Sequence, residues 1–212
     1  MTILKFMLFD GARKRSHTLI LAHGAGAPMD SPFMATCAEG LAKAGLCVGR
    51  FEFPYMQRRR AEGTKRPPDR APKLLEAWAE VIDAVRSGMP KGGKLIIGGK
   101  SMGGRIASMV ADEQAVDGLV CLGYPFHPPG KPEKTRTDHL VALKTPSLIV
   151  QGTRDTLGGL EAVQGYTLSK SIRLHWLEDG DHSFKPRKKS GRTEEQNLSE
   201  GISEVAGFVK GI

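Results

Sequence analysis

Residues 98–104 read GGKSMGG, and this stretch decides the fold class because it resembles two kinds of loop that belong to different folds. A phosphate-binding loop of the form G-x-x-x-x-G-K-[ST] that ends at Ser101 needs glycine at position 94, where this chain has Lys94. The residues that would have to wrap around the phosphate, 95–97, read LII, and such an apolar run is typical of a buried strand. Spacing and chemistry therefore both exclude the phosphate loop.

The second kind of loop has the pattern G-x-S-x-G, which residues 99–103 match with Ser101 at its centre. In this pattern the serine lies on a tight turn between a strand and a helix. Glycines two positions to either side remove the Cβ atoms that would clash in so sharp a turn. KLIIG, which precedes the serine, reads as a strand, and RIASMVADE, which follows it, reads as a helix. The pattern predicts an exposed nucleophilic serine at the end of a strand.

Strand-like and helix-like segments alternate outward from this turn in both directions. We predict strands at about 3–9, 17–22, 46–53, 94–98, 118–122, 147–151 and 171–176, and helices at about 32–44, 72–87, 102–112, 157–168 and 194–210. The first two strands are expected to form a hairpin. The alternation that follows predicts a mostly parallel sheet with helices on both faces, in one α/β domain over residues 1–212. Functional residues of such sheets lie just after the strands.

Two segments are too long to be ordinary connections, residues 53–72 and residues 123–146. The first is rich in proline and arginine, and the second in proline, lysine and histidine. Both follow predicted strands, so both are expected to rise over the same edge of the sheet as walls or a lid of a pocket. The sequence leaves open whether the arginine-rich segment is ordered.

Composition limits the function classes. Of the 212 residues, 40% are hydrophobic and 25% charged, as in ordinary globular proteins. The net charge of +8 raises the question of nucleic acid, and basic residues cluster at 58–73 and 185–192. Solvated loops explain such clusters equally well. Because no helix-turn-helix, zinc or RNA-recognition signature accompanies them, nucleic-acid binding is a minor hypothesis.

Targeting and redox signals favour the cytoplasm. No stretch approaches 18 apolar residues, so no membrane span is expected, and the first 16 residues do not resemble a signal peptide. The three cysteines, Cys37, Cys47 and Cys121, are odd in number and widely spaced, which fits neither a disulfide framework nor a metal site. Cys47 and Cys121 lie in apolar runs and are expected in the core. We predict no metal and no cofactor.

A nucleophilic serine needs a base to accept its proton and an acid to orient that base. The predicted strand SLIVQ ends in GTRD, which contains Asp155, and the strand RLHW is followed by LEDGDHSF, which contains His182. The order Ser101, Asp155, His182 is the chain order of an α/β-hydrolase triad. Asp179 and Asp181 are rival acids, but they are too close to His182 along one loop to reach its Nδ1 easily.

We assign no catalytic role to the remaining histidines. His175 and His17 lie within or at the start of predicted strands and are interpreted as structural. His127 and His139 belong to the second long segment, where they either line a pocket or are solvated. His23 opens the glycine-rich stretch HGAGAP after the strand TLILA, and we expect it to hold that loop in place.

An oxyanion intermediate also needs N–H donors. In α/β-hydrolases one donor follows the nucleophile, here Met102, and another comes from a loop after an earlier strand. The glycine-rich loop supplies Ala25 or Gly26 for the second donor. If the long segments fold over the sheet, basic side chains would form the rim of the pocket and favour an anionic acyl group: Arg58, Arg59, Arg60 and Lys185.

Six blocks in order, LAHGAGAPMDSPFM, RFEFPYM, GGKSMGGRIAS, GYPFHPPGKPE, QGTRD and GDHSF, resemble a small α/β-hydrolase-like family. This family contains bacterial predicted hydrolases, testis-expressed Tex proteins and the hydrolase-like part of KANL-type chromatin-complex subunits. The resemblance runs from about residue 18 to the C-terminus. It implies an α/β-hydrolase fold without a large cap domain and a triad at Ser101, Asp155 and His182. Dienelactone hydrolases look similar but carry cysteine as nucleophile, so their activity is not carried over.

The sequence therefore predicts a serine hydrolase that cleaves a carboxylic ester or thioester of a small molecule. A non-catalytic binding or scaffold protein with the same fold is the alternative. Lys100, directly before the nucleophile, is expected to be partly buried and paired with a carboxylate such as Glu52. Acyl length, oligomeric state and the choice between hydrolysis and acyl transfer stay open.

Overall fold

The computed structural model describes residues 3–12 and 17–212 of the chain. Seven strands form one sheet: β1 (Leu8–Asp10), β2 (His17–Ala22), β3 (Cys47–Phe51), β4 (Lys94–Lys100), β5 (Gly118–Leu122), β6 (Ser147–Gly152) and β7 (Ile172–Leu177). Six α-helices accompany them: α1 (Pro32–Lys43), α2 (Pro54–Glu62), α3 (Ala71–Arg86), α4 (Met102–Val110), α5 (Leu160–Gln164) and α6 (Glu194–Lys210). Short 3₁₀ helices occur at Ile3–Phe6, Asp138–Leu140 and Lys188–Ser190.

The strands lie in the order β1-β3-β2-β4-β5-β6-β7, and every neighbouring pair is parallel except β1 with β3. One face of the sheet packs against α3 and α4 through side chains such as Trp78 and Ile106, and the other packs against α1 and α6 through Met34, Leu41 and Val205. Because both faces are covered, the central strands are apolar along their length. The predicted fold class is confirmed.

The start of the chain differs from the prediction. Residues Ile3–Phe6 form a 3₁₀ helix, and the strand is limited to Leu8–Asp10. This strand pairs antiparallel with β3, so the expected hairpin with β2 is wrong. β2 has a parallel partner on each side, which leaves it no free edge. Gly49 in β3 has no side chain, and an added Cβ would lie 2.6, 3.0 and 3.2 Å from side-chain atoms of Ile20, Phe9 and Met7.

The arginine-rich segment, predicted as a long loop, is partly helical. Its first half is helix α2, which begins at Pro54 after extended Phe53 and ends where Gly63 adopts φ 67°. Proline at the first helical position and glycine after the last are the usual helix boundaries. Tyr55 and Met56 in the first turn are buried in the core, and their burial fixes the helix on the sheet. The predicted long loop is therefore helical over 54–62.

Two smaller predictions can be compared with the fold. The helix expected over 157–168 is limited to Leu160–Gln164, because Gly158 has φ 147° and Gly165 follows the last helical residue. Cys47 and Cys121 are buried, as predicted. Within the described part of the chain, no helix combines the length and apolar character that crossing a membrane requires.

Candidate active site

Ser101 occupies the turn between β4 and α4. Its backbone has φ 51° and ψ −116°, a conformation that a side chain with a Cβ rarely adopts. The Ser101 N–H donates to the Leu122 carbonyl oxygen at 3.0 Å, which ties the turn to the end of β5. Strained residues of this kind persist only where the surrounding structure holds them, and they cluster at functional sites.

The flanking glycines permit the turn through close contacts with β2. A Cβ at Gly99 would lie 2.2 Å from the carbonyl oxygen of Ala22, and one at Gly103 would lie 2.3 Å from the same oxygen. Both distances are far below van der Waals contact, and the obstacle is backbone that cannot move aside. The two glycines of the G-x-S-x-G pattern are therefore required by the way β2 packs beneath the turn.

Three side chains meet at the carboxyl ends of β4, β6 and β7. The Ser101 hydroxyl lies 2.8 Å from His182 Nε2, and His182 Nδ1 lies 2.7 Å from Asp155 Oδ2. The Asp155 side chain is fully buried, whereas the His182 side chain retains 27% of its exposure. A carboxylate at Nδ1 fixes the tautomer that carries its proton there, so Nε2 is free to accept one. The structure brings together the residues that the sequence singled out.

Asp155 is itself held by groups that the sequence interpretation missed. Gln151, at the end of β6, donates from Nε2 to Asp155 Oδ2 at 2.8 Å and accepts the Tyr124 N–H at 2.7 Å. The Leu157 N–H donates to Asp155 Oδ1 at 2.8 Å. Three donors, including His182, therefore orient one buried carboxylate. A polar residue at the end of the apolar strand SLIVQ was the available signal.

The rival residues have other partners. Asp179 binds Arg187, which holds the pKa of this carboxyl at about 2, and also contacts Arg154 at 3.0 Å. Asp181 Oδ1 accepts the backbone N–H groups of Ser183 and Lys185 within its own turn. Neither aspartate contacts the imidazole of the serine–histidine pair.

The other histidines are also engaged. His175 Nε2 lies 3.0 Å from Glu200 Oε1 on α6. His127 is buried against the carbonyl of the following proline, and His139 Nε2 lies 2.8 Å from Ser108 Oγ. The solvated alternative considered for these two is therefore wrong. No group of three or more His, Cys, Asp or Glu side chains placed to hold a metal occurs within residues 3–12 and 17–212.

The glycine-rich loop after β2 is fixed from two sides. His23 Nδ1 contacts the Gly24 carbonyl at 2.7 Å, and its Nε2 accepts the Phe53 N–H at 3.2 Å. Burial lowers the pKa of His23, which favours the neutral ring that this pair of contacts requires. The Tyr55 hydroxyl donates to the Ala25 carbonyl at 3.0 Å. The expectation that His23 holds the loop is confirmed, and Tyr55 is a support that the sequence interpretation missed.

The loop that carries the second candidate oxyanion donor borders Ser101 at Gly24. A Cβ built on Gly24 would lie 3.7 Å from the Ser101 Cβ, so the loop passes directly beside the nucleophile. The carbonyls of Gly24 and Ala25 face the Tyr55 hydroxyl, at 3.4 and 3.0 Å. In a trans peptide the following N–H points the opposite way, away from that hydroxyl. Met102 is the first residue of α4, where an N–H has no partner within the helix.

Lys100 is buried beside the serine, but its partner is not the predicted one. Its ammonium donates to the backbone carbonyl of His182 and lies 5.3 and 5.8 Å from the ring centres of Phe33 and Phe184. Glu52 instead pairs with Arg60 at 2.6 Å, so the proposed Lys100–Glu52 pair is wrong. Burial lowers the pKa of Lys100 to about 8. The buried cation anchors the main chain of the loop that carries the histidine.

The predicted rim residues differ in their hydrogen-bond and ion-pair partners. Arg58 binds Asp69 at 2.7 Å, and Arg60 binds both Glu52 at 2.6 Å and Asp30 at 2.8 Å. Lys185 lies 3.9 Å from Glu194. Arg59 contacts the Gly26 carbonyl at 3.3 Å, next to the candidate oxyanion loop. Among the four, Arg59 is the one whose described contact is not a carboxylate.

Comparison with known proteins agrees with this fold. A family model described as an alpha/beta hydrolase domain matches residues 15–210. A serine hydrolase homologue from Coxiella burnetii is 19% identical, with a TM-score of 0.68 over 97% of this chain and 90% of that chain. A serine hydrolase without lid from Xanthomonas campestris is 20% identical, with a TM-score of 0.68 over 94% and 88%.

A dienelactone hydrolase from Anabaena variabilis is also similar, at 20% identity and a TM-score of 0.72 over 97% of this chain and 90% of that chain. Structural likeness at such identities establishes the architecture and leaves the chemistry to the residues of this site. Since the family model spans nearly the whole sequence and the turn, sheet and histidine loop all match that architecture, the chain belongs to the alpha/beta hydrolase domain family.

Proposed function

We propose that the protein is a serine hydrolase that cleaves a carboxylic ester or thioester through an acyl-enzyme on Ser101. The observation that carries the proposal is the continuous hydrogen-bond chain from the Ser101 hydroxyl through His182 to Asp155, with heavy-atom distances of 2.8 and 2.7 Å. A serine bonded to a base whose far side is bonded to a buried carboxylate is the arrangement that activates a hydroxyl for attack.

In the first half-reaction, Ser101 Oγ attacks the acyl carbon while His182 Nε2 accepts the hydroxyl proton. The new C–O bond forms as the carbonyl electron pair moves to oxygen, which gives a tetrahedral oxyanion. Asp155 stabilises the imidazolium across Nδ1 and stays ionised. When the tetrahedral species collapses, Nε2 returns the proton to the leaving alkoxide or thiolate, and the acyl group remains on Ser101.

The oxyanion would be bound by the N–H of Met102 and by that of Ala25 or Gly26. The place of Met102 at the first position of α4 and the orientation of the Gly24 and Ala25 carbonyls toward Tyr55 support this assignment. One such donor contributes about 3 kcal/mol to the transition state. In the second half-reaction, His182 removes a proton from water, the hydroxide attacks the acyl carbon, and the carboxylic acid leaves as Ser101 recovers its proton.

The proposal extends to the subfamily, the compartment and the class of substrate. The six sequence blocks favour a place among the small hydrolases that include the testis-expressed and KANL-type proteins. Three widely spaced cysteines, all buried, favour the reducing cytoplasm. A small-molecule substrate with an anionic group fits the basic residues at the rim, of which Arg59 is nearest the oxyanion loop.

Pre-steady-state kinetics with aryl ester and thioester substrates test the proposal. An acyl-enzyme pathway gives a burst of phenol or thiol equal to the enzyme concentration when deacylation is slower than acylation, and hydroxylamine then diverts the acyl group to a hydroxamate. Absence of both turnover and diversion across a series of acyl lengths would contradict the proposal and favour the non-catalytic binding protein.

A further inference from the structure

Three basic side chains lie together on the α4 side of the nucleophile, and we name Arg105, Arg136 and His139 the α4 cation cluster. His139 Nε2 contacts Ser108 Oγ at 2.8 Å and the Tyr124 hydroxyl at 3.5 Å. The same Tyr124 hydroxyl donates to the Arg136 carbonyl at 2.9 Å. The Ser108 hydroxyl also donates to the Arg105 carbonyl at 2.7 Å. These contacts connect α4 to the segment that follows β5, through the main chain of Arg105 and Arg136 and the side chain of His139.

The guanidiniums of this cluster have no acidic partner among the described residues. No ion pair or side-chain hydrogen bond of Arg105 or Arg136 occurs there, although both residues are half-buried. Burial is the larger cause that lowers the pKa of Arg136 and of His139, and the charge of Arg105 lowers both further. Asp138 acts in the opposite direction on His139. The cluster is therefore a site of uncompensated positive charge.

One polar atom in the cluster is both buried and unsatisfied. Arg105 Nε has no hydrogen-bond partner, and only two other described side-chain atoms share that condition. A buried donor of a charged group without a partner is costly, so proteins rarely retain one unless something else binds it. The planar guanidinium offers donors in a fork that matches a carboxylate or phosphate.

The arginines of α2 make the contrast clear. Arg58 and Arg60 each bind at least one aspartate or glutamate, so their charge is already neutralised within the protein, and Arg59 donates to the Gly26 carbonyl. A substrate anion would have to displace those carboxylates. The α4 cation cluster presents no such competition, although the sequence drew attention to the α2 arginines instead.

Along α4, the cluster begins one helical turn after the nucleophile. Arg105 lies one turn along α4 from Ser101, since its N–H donates to the Ser101 carbonyl at 3.0 Å, and one helical turn rises about 5.4 Å. Tyr124, at the centre of the cluster, is bound through its backbone to Gln151, which orients Asp155. A substrate bound at Ser101 with an anionic group a few atoms from the ester can therefore reach the cluster.

We propose that the α4 cation cluster is the specificity site of the hydrolase and binds a carboxylate or phosphate group carried by the substrate. Arg105 and Arg136 supply the charge and the forked donors. The bound group accepts a hydrogen bond from Arg105 Nε, which has no partner in the free protein. This inference rests on the proposed serine hydrolase function for its substrate and deepens it to esters that bear a second, anionic group.

Three phenyl esters of nearly equal size test the inference. Phenyl hydrogen succinate ends in a carboxylate, phenyl 3-phosphonopropanoate ends in a phosphonate, and phenyl 4-oxopentanoate ends in a neutral methyl ketone. Rates are compared as kcat/KM after subtraction of the rate without enzyme. We expect at least one anionic ester to exceed the neutral ester by tenfold or more, and the better of the two identifies the oxyanion.

Substitution then identifies the residues responsible. Arg105→Met and Arg136→Met should each reduce the ratio of anionic to neutral kcat/KM at least fivefold, and Arg105→Lys should restore part of it. Arg173→Met is the matched control, because Arg173 lies on β7, pairs with Glu204 and is absent from the cluster. A ratio near one in the wild type, or a ratio unchanged by both methionine variants, would overturn the inference.

Direct binding separates this inference from the proposed function. Calorimetry on Ser101→Ala with succinate and with 3-phosphonopropanoate measures the cluster without any catalysis. Binding that weakens at least fivefold on Arg105→Met supports the site even if no ester is hydrolysed. Absence of binding to Ser101→Ala, when the wild type reacts with an active-site probe, overturns the anion site and leaves the hydrolase intact.

Discussion

Two polar networks of this protein have opposite designs. At the carboxyl ends of β4, β6 and β7, Gln151, Asp155 and His182 form a directed chain whose last contact is one serine hydroxyl. Around α2, Arg60 binds Glu52 and Asp30, and these contacts do not include a nucleophile or a base. We name the first the triad network and the second the α2 network. The two networks differ in where they end. The triad network ends at a serine hydroxyl that can react, whereas the contacts of the α2 network join charged side chains to one another.

The largest expected effects come from the end of the triad network. Ser101→Ala and His182→Ala should each lower kcat for the best ester by about 10³-fold or more, because they remove the nucleophile and its base. Thermal unfolding of both variants should stay close to the wild type, since neither side chain is a core group. Retention of most of the activity in either variant would contradict the role given to these residues.

The next effect concerns the orientation of the imidazole. Asp155→Asn should lower kcat by about 10³- to 10⁴-fold, because an amide that donates to Nδ1 imposes the tautomer in which Nε2 carries the proton. The matched control is Asp181→Asn, which alters a neighbouring aspartate bound only to backbone N–H groups of its turn. Equal losses in the two variants would mean that the loop and not the carboxylate is responsible.

Lys100 is expected to have an effect of intermediate size, on the pH dependence of the free energy of unfolding. Its pKa in the folded protein is about 8, below the ordinary value of 10.5, because burial penalises the charged form. Between pH 8 and 10.5 the unfolded chain therefore binds more protons, and the free energy of unfolding rises with pH. Relative to Lys100→Met, the wild type should gain on the order of 2 kcal/mol across this interval.

Urea unfolding at pH 7, 8, 9 and 10 checks this prediction. Lys91→Met is the control, because Lys91 is exposed and should give a constant difference from the wild type. Parallel curves for the wild type and Lys100→Met would show that the ammonium is not penalised by burial.

The smallest effect is expected in the α2 network. Glu52→Gln keeps an oxygen that can accept a hydrogen bond and removes the charge opposite Arg60, whose side chain is 48% exposed. Glu52 is buried, with 3% of its side chain exposed, but the amide oxygen keeps a hydrogen-bond acceptor and Arg60 stays in contact with water, so the free energy of unfolding should fall by about 1 kcal/mol. Turnover of a neutral ester should change less than threefold. A loss of activity as large as that of Asp155→Asn would erase the distinction between the two networks.

The sequence predicted the parts of the fold that depend on local pattern. Ser101 was recognisable because glycines at fixed spacing and a strand-to-helix change define its turn, and Asp155 and His182 followed from strand ends in a parallel sheet. The order of elements after β2 was predictable for the same reason, since apolar runs bounded by turn residues repeat along the chain.

The remaining features depend on contacts between distant residues. The pairing of β1 with β3 joins residues about 40 positions apart, and no local pattern reveals it. Helix α2 is held by the burial of Tyr55 and Met56 and by ion pairs of Arg58 and Arg60 with carboxylates outside the helix. The partner of Lys100 is a main-chain carbonyl 82 residues away, so a search for complementary charges could not find it.

Labelling with a fluorophosphonate, measured by intact mass and peptide mapping, tests the central claim most directly. The account predicts one adduct per chain on the peptide that contains Ser101, no adduct on Ser101→Ala, and labelling slowed by at least 10²-fold on His182→Ala. Folded wild-type protein that takes up no label, or that is labelled at another serine, would contradict the claim that the triad network activates Ser101.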